Sequence, residues 1–180
     1  MTTLYLVRHG ETDWNKSRLM QGRTDIPLNE NGIRQATDLS KKINIDGIDI
    51  CISSPLKRAS ETAKILVNNK LDIIYDKNLV ERSFGDYEGK VAVYEDILRQ
   101  WDYKLNDNTY NIETIKECLK RAKDVIDKIK KDYPNKNILI VSHGSFMKCL
   151  HFNLVGYDEN TDFLSFKVNN ADIFKYELNP

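Results

Sequence analysis

Two short runs constrain this chain more than anything else in it. Leu4, Tyr5, Leu6 and Val7 form one; Ile138, Leu139, Ile140 and Val141 form the other. Each is apolar without a break and too short for a buried helix, which is the pattern of a strand covered on both faces of a parallel sheet. Each is followed at once by polar chemistry: Arg8, His9 and Gly10 after the first, Ser142, His143 and Gly144 after the second. Open α/β sheets bind ligands beyond the carboxyl ends of their strands, so both histidines are expected in one crevice. Alone, either stretch is a polar turn after a core strand. Complementary residues elsewhere give the pair its meaning.

Between the two runs, strand and helix patterns alternate. Residues 16–28 read as loop, with Gln21, Gly22, Arg23 and Thr24 as candidate lining or as solvated turn. Asn29 is a plausible N-cap for a helix over 32–43, with Ile33, Ala36, Leu39 and Ile43 on one face. A second strand is expected over 48–52. Ser54 as cap and Pro55 at the first helical position then open a helix reaching residue 67. Arg58 falls in its first turn, where a cation is slightly unfavourable unless an anion binds there.

A third strand is expected over 71–75, followed by a Gly-containing loop over 79–89 that carries Glu81. Residues 91–101 read as an amphipathic helix and 102–111 as loop. Ile112, Ile115, Leu119, Ala122, Ile126 and Ile129 recur at steps of three and four, marking a long helix packed on a sheet. A last helix follows Gly144 and stops at Gly156. Residues 163–168 and 172–178, flanking Asn169 and Asn170, read as a terminal hairpin. Alternating strands and helices predict a three-layer α/β/α sandwich with a mostly parallel central sheet, as a single domain over 1–180.

Composition excludes several function classes. Lys and Arg together number 27, as do Asp and Glu. That balance argues against a nucleic-acid-binding or polybasic membrane surface. No apolar run approaches the roughly 20 residues of a membrane span, and no basic segment followed by a long apolar stretch opens the chain. Cys51, Cys118 and Cys149 are odd in number and lie in apolar surroundings, so buried free thiols and a cytoplasmic location are expected.

Arg8, His9, Arg58, Glu81 and His143 are all expected at or just beyond strand ends. Two guanidinium forks suit phosphate oxygens. One imidazole can attack phosphorus, the other can donate to a phosphate oxygen, and the carboxyl can hand a proton to the leaving oxygen. A two-histidine, one-carboxylate metal site from His9, His143 and Glu81 competes with this reading. Two adjacent arginines make a divalent cation unfavourable there, so no metal and no other cofactor is expected.

In these residues the sequence resembles the histidine phosphatase superfamily, the phosphoglycerate mutase-like proteins. Leu6, Val7, Arg8, His9, Gly10, Glu11, Thr12 and Asn15 carry the first motif. Ser53, Ser54, Pro55, Leu56, Arg58, Ala59, Thr62 and Ala63 carry the second. Leu79, Glu81, Phe84, Gly85, Glu88 and Gly89 carry the third, and Val141, Ser142, His143 and Gly144 the last. The resemblance implies His9 as phosphorylated nucleophile and Glu81 as proton donor. Arg8, Arg58 and His143 would complete the phosphate pocket, with Asn15 and the Gly144 backbone as further contacts; from the loop reading, Gln21 and Gly22 are candidate phosphate contacts beside them.

The loop after Glu81 is similar to the phosphatase branch, which includes small-molecule and α-ribazole-phosphate phosphatases. The chain ends at Pro180, just after the last expected strand, leaving little for a lid. That favours hydrolysis of a small phosphorylated metabolite over phosphoglycerate mutase activity or a non-catalytic phosphate-binding role. Many relatives carry Gly-Glu-Ser before the long helix, where this chain has Asn111, Ile112, Glu113 and Thr114. Residues 90–111 should roof the site. Their Tyr94, Trp101, Tyr103 and Tyr110 come without a basic cluster, which disfavours a bisphosphate.

Overall fold

The computed structural model describes residues 1–178. β1 (Thr2–Arg8), β2 (Ile50–Ser53), β3 (Ile73–Tyr75), β4 (Asn137–Ser142) and β5 (Ile173–Leu178) form one sheet in the order β3-β2-β4-β1-β5. The first four are mutually parallel where they pair, and β5 runs antiparallel on β1. Helices α1 (Asp13–Lys16), α2 (Glu30–Ser40), α3 (Lys57–Val67), α4 (Tyr94–Gln100), α5 (Ile115–Asp132) and α6 (Gly144–Val155) complete the chain.

The unbroken apolar runs do what their composition requires. Side chains alternate across a strand, so Leu4, Leu6, Ile138 and Ile140 enter one core with α5 and α6. Val7, Leu139 and Val141 enter a second core with α3 and Leu39 of α2. Both faces of the sheet are therefore dry, and the molecule is the expected three-layer sandwich. Thr114 opens α5 through a capping box with Glu117, and its stripe of Ile115, Cys118, Leu119, Ala122, Val125, Ile126 and Ile129 is buried. All three cysteines are buried free thiols, as expected.

Four expectations need correction. Residues 163–168 do not pair with the last strand; β5 pairs six residues with β1 instead. The free edge of β1 offers a longer ladder, and Phe163 is drawn into the core. Ser54 does not cap α3, which begins three residues later with Leu56 at the cap position. Ile33 and, on the short α4, Tyr94 and Leu98 are exposed rather than packed. Val91 lies outside α4 in an isolated bridge to Leu19.

Candidate active site

Register builds the site. The parallel ladder sets Val7 beside Val141 and Arg8 beside Ser142. The next pair beyond the sheet is therefore His9 and His143, one strand spacing apart. Their ring centroids lie 5.1 Å from each other. The β2–β4 ladder sets Ser53 beside Val141, which carries Ser54 to the far side of His143.

The two rings are held by opposite nitrogens. His9 Nδ1 lies 2.7 Å from the Gly10 carbonyl oxygen, which can only accept, so Nδ1 carries the proton and donates. His9 Nε2 is then unprotonated, and Arg58 Nε donates to its lone pair at 3.3 Å. At His143 the contact is Nε2 with Ser54 Oγ, 2.8 Å away. That oxygen accepts the Leu56 N–H, and its own hydrogen has no acceptor other than Nε2 among the described residues, so the Ser54 hydroxyl donates to Nε2. His143 Nδ1 thus carries a proton, and it is buried with no partner. Burial, then Arg58 and Arg8, hold His9 well below the usual imidazole range. Burial, then Arg58, His9 and Arg8, do the same to His143. Both rings are neutral at pH 7.

Arg58 is fully buried, at 0% exposure. Its Nη1 donates to the Thr24 carbonyl at 2.8 Å and its Nη2 to the Gly22 carbonyl at 2.7 Å. Burial lowers it to about 10, still a cation at neutral pH. Glu88, a motif residue of unassigned role in the sequence, fixes that turn by accepting the N–H groups of Arg23 and Thr24. Arg8 leaves β1 on the opposite flank. Its Nη1 donates to the Val168 carbonyl at 2.7 Å, and its Nε is buried without a partner. A Cβ on Gly144 would sit 3.2 Å from Arg8 Nε and Cζ, so glycine is what lets that guanidinium lie against the start of α6.

Glu81 does not end a strand. It sits in an irregular loop six residues past β3. Its Oε1 accepts the N–H groups of Arg82 and Phe146, both at 2.8 Å, and its Oε2 accepts the Ser145 N–H at 3.1 Å. The carboxylate is thus docked on the N-terminus of α6, beside His143. A clamp holds its backbone. Arg121 Nη1 donates to the carbonyls of Asn78 and Val80 at 2.7 and 2.9 Å. Arg121 also grips Glu113 through two bonds of 2.8 Å and lies over the Phe146 ring, 4.1 Å from its centroid.

The remaining expected contacts fall at different depths. Asn15 spends its Oδ1 on Thr12, capping α1, and on Asn170, so its Nδ2 is the atom left for a ligand. Gln21 Oε1 accepts the Thr12 hydroxyl at 2.8 Å, and Gly22 serves through its carbonyl on Arg58. Gly144 stands at the first turn of α6 with Arg8 against it. Asn170, read from sequence as a hairpin turn, donates to the His9 carbonyl at 3.1 Å. Thr62 accepts the Gly10 N–H at 3.1 Å. The motif listed Thr62 without a role, and nothing local announced Asn170.

With this geometry in place, the chain can be set beside known proteins. A family model described as the histidine phosphatase superfamily (branch 1) matches residues 4–180. The protein named uncharacterized phosphatase PhoE, from Bacillus subtilis (strain 168), is 41% identical over 160 residues, covering 88% of this chain and 80% of that one. A mutant phosphoserine phosphatase from Entamoeba histolytica, solved with phosphoserine, superposes with a TM-score of 0.86 at 30% identity, covering 99% of this chain and 92% of that one. The alpha-ribazole phosphatase from Shigella flexneri gives a TM-score of 0.82 at 27% identity, covering 98% and 91%.

Proposed function

The chain belongs to the histidine phosphatase superfamily and is a phosphatase of that family; on that premise we propose that it hydrolyses small phosphorylated metabolites through a phosphohistidine at His9. The observation that carries this reading is the unprotonated Nε2 of His9, met by Arg58 Nε at 3.3 Å, with the second ring 5.1 Å away by centroids and two unpartnered polar nitrogens beside it. Phosphate oxygens would supply partners for His143 Nδ1 and Arg8 Nε, and Arg58 would balance the charge.

In the first step His9 Nε2 forms a bond to phosphorus while the bond from phosphorus to the ester oxygen breaks. Glu81 hands a proton to that departing oxygen. In the second step water attacks the phosphohistidine and passes a proton back to Glu81. The phosphorus–nitrogen bond breaks and inorganic phosphate leaves. His9 needs no activating base, because its tautomer is already fixed by the Gly10 carbonyl. Arg8, Arg58 and His143 stabilise the transferring group as charge spreads over its oxygens. Neither step calls on a metal ion.

The family neighbours act on, or are bound to, small phosphorylated molecules; phosphoserine and α-ribazole phosphate are the first substrates to try. The family model spans nearly the whole chain, in keeping with one catalytic domain, and three unpaired thiols suit the reducing cytosol. The test is hydrolysis of an aryl phosphate with a chelator present, with alkaline quench to trap phosphoenzyme. An acid-labile label on His9 that turns over supports the reading. Loss of activity on chelation, or full activity in His9→Ala, overturns it. Interconversion of phosphoglycerates faster than hydrolysis would replace it with a mutase, and phosphate binding without phosphoenzyme would replace it with a binding module.

A further inference from the structure

One cation beside this pocket has no task in the reaction just described. Lys148 lies on α6, four residues after Gly144 and so on the same helix face. Helical side chains lean back toward the N-terminus, which carries its ammonium toward the end where Gly144 meets Arg8. Lys148 Nζ donates to the Phe166 carbonyl, and Arg8 Nη1 donates to the Val168 carbonyl. The two acceptors are two residues apart on one segment, a span of at most about 7 Å. The segment is fixed in place. The Phe166 ring stacks on His151 at 3.7 Å and packs on Phe174 at 4.7 Å. Further along, the Ala171 N–H bonds the carbonyls of Arg8 and His9.

The charge of Lys148 is unbalanced. It is half-buried, and it forms no ion pair with a carboxylate among the described residues. Burial, then Lys167 and Arg8, lower it to about 8, against the opposite pull of Glu81 and Asp162. It is still mostly protonated at neutral pH. A single carbonyl uses one of its three N–H donors, so two remain. The phosphoryl group would occupy Arg8, Arg58 and His143, and it would leave this compact single charge unmatched.

We propose that Lys148, held by the Phe166 carbonyl next to Arg8, is a specificity residue that binds a carboxylate carried by the phosphorylated substrate. This assignment rests on the reading of the crevice as a phosphomonoester site. A lone ammonium with two free donors suits a group of one negative charge, and its anchor two residues from that of Arg8 suits a carboxylate a few bonds from the ester oxygen.

Matched substrate pairs test it. O-phosphoserine and O-phosphoethanolamine differ by one carboxylate, as do 3-phosphoglycerate and glycerol 3-phosphate in their oxidised and reduced ends. The wild-type protein is expected to favour the carboxylate member of each pair at least tenfold in kcat/KM. Lys148→Met should lower kcat/KM for the carboxylate member roughly tenfold more than for its partner, mainly through KM. Lys148→Arg should restore most of the preference. No preference in the wild type, or an equal loss for both members, overturns the assignment while leaving the phosphatase reading intact. A greater gain from a second phosphate than from a carboxylate also overturns it. Absence of His9-dependent hydrolysis with every substrate is the separate failure of the underlying reading.

Discussion

The two strand–histidine–glycine–helix units look alike in sequence and do opposite work. After β1, His9 is tied by Nδ1 to its own neighbour, Gly10, and presents a lone pair. After β4, His143 is tied by Nε2 to Ser54, a residue 89 positions away in sequence, and presents an N–H. The glycines differ as well. Gly10 is pressed against the backbone of Gly32, whereas the nearest neighbours of a Cβ on Gly144 are side-chain atoms of Arg8. One unit thus holds the proposed nucleophile by local geometry, and the other holds the proposed donor by tertiary contact. A histidine's role here follows from which ring nitrogen the fold occupies.

The largest break in that contrast comes from the rings themselves. His9→Ala should lower kcat by at least ~10⁴-fold and abolish phosphoenzyme. His143→Ala, which removes a donor, should cost ~10²–10³-fold and still allow slow labelling of His9. Equal labelling defects in the two variants would erase the distinction. Next come the glycines. A Cβ at Gly10 would overlap the Gly32 backbone, so Gly10→Ala should destabilise by about 3 kcal/mol or more, read as a drop in denaturation midpoint. Ser54→Ala should be milder. It frees His143 to move its proton to Nε2, costing about tenfold in kcat with little change in stability.

The electrostatics give a finer test of the first unit. Burial and then Arg58 keep His9 protonated only at low pH. A group whose folded pKa is depressed loses its active neutral form only as pH falls through that low value. The acid limb of kcat/KM for the wild type should therefore lie below the ordinary imidazole value of about 6.5, where the second ionisation of the substrate phosphate, near 6, sets it. Arg58→Gln removes a cation that lowers both rings, so the His9 imidazole, followed by NMR in the free protein, should titrate at higher pH than in the wild type. An imidazole titration that stays in place would mean that Arg58 does not tune His9.

How much of this was legible in the sequence follows from the same contrast. His9, Arg8 and His143 sit where apolar runs end, so reading the strands located them. Arg58 was found because it begins a helix after another strand, although Ser54 proved to hold His143 rather than cap that helix. Glu81 was identified by its motif, but its support was not. Three backbone N–H groups and the Arg121–Glu113 clamp come from α6 and α5, far along the chain. The hairpin reading of Asn170 and Phe166 fails because strand pairing is decided by which edge is free, and β1's free edge pairs with β5 across 166 to 176 residues of chain.

The smallest effect concerns Gly144 and separates the two units most cleanly. The three atoms nearest to an added Cβ all belong to the Arg8 side chain, at 3.2 to 3.6 Å. A flexible side chain can shift by a few tenths of an ångström where backbone cannot, and alanine favours the helix interior over glycine by up to about 1 kcal/mol. Gly144→Ala should therefore fold with a denaturation midpoint near that of the wild type. The displaced guanidinium should instead raise KM for phosphate monoesters about two- to fivefold, a loss of under ~1 kcal/mol of anion binding. Severe unfolding of this variant, matching that of Gly10→Ala, would show that the start of α6 is as rigidly packed as the turn after β1, and the division between a locally fixed nucleophile and a contact-fixed donor would fail.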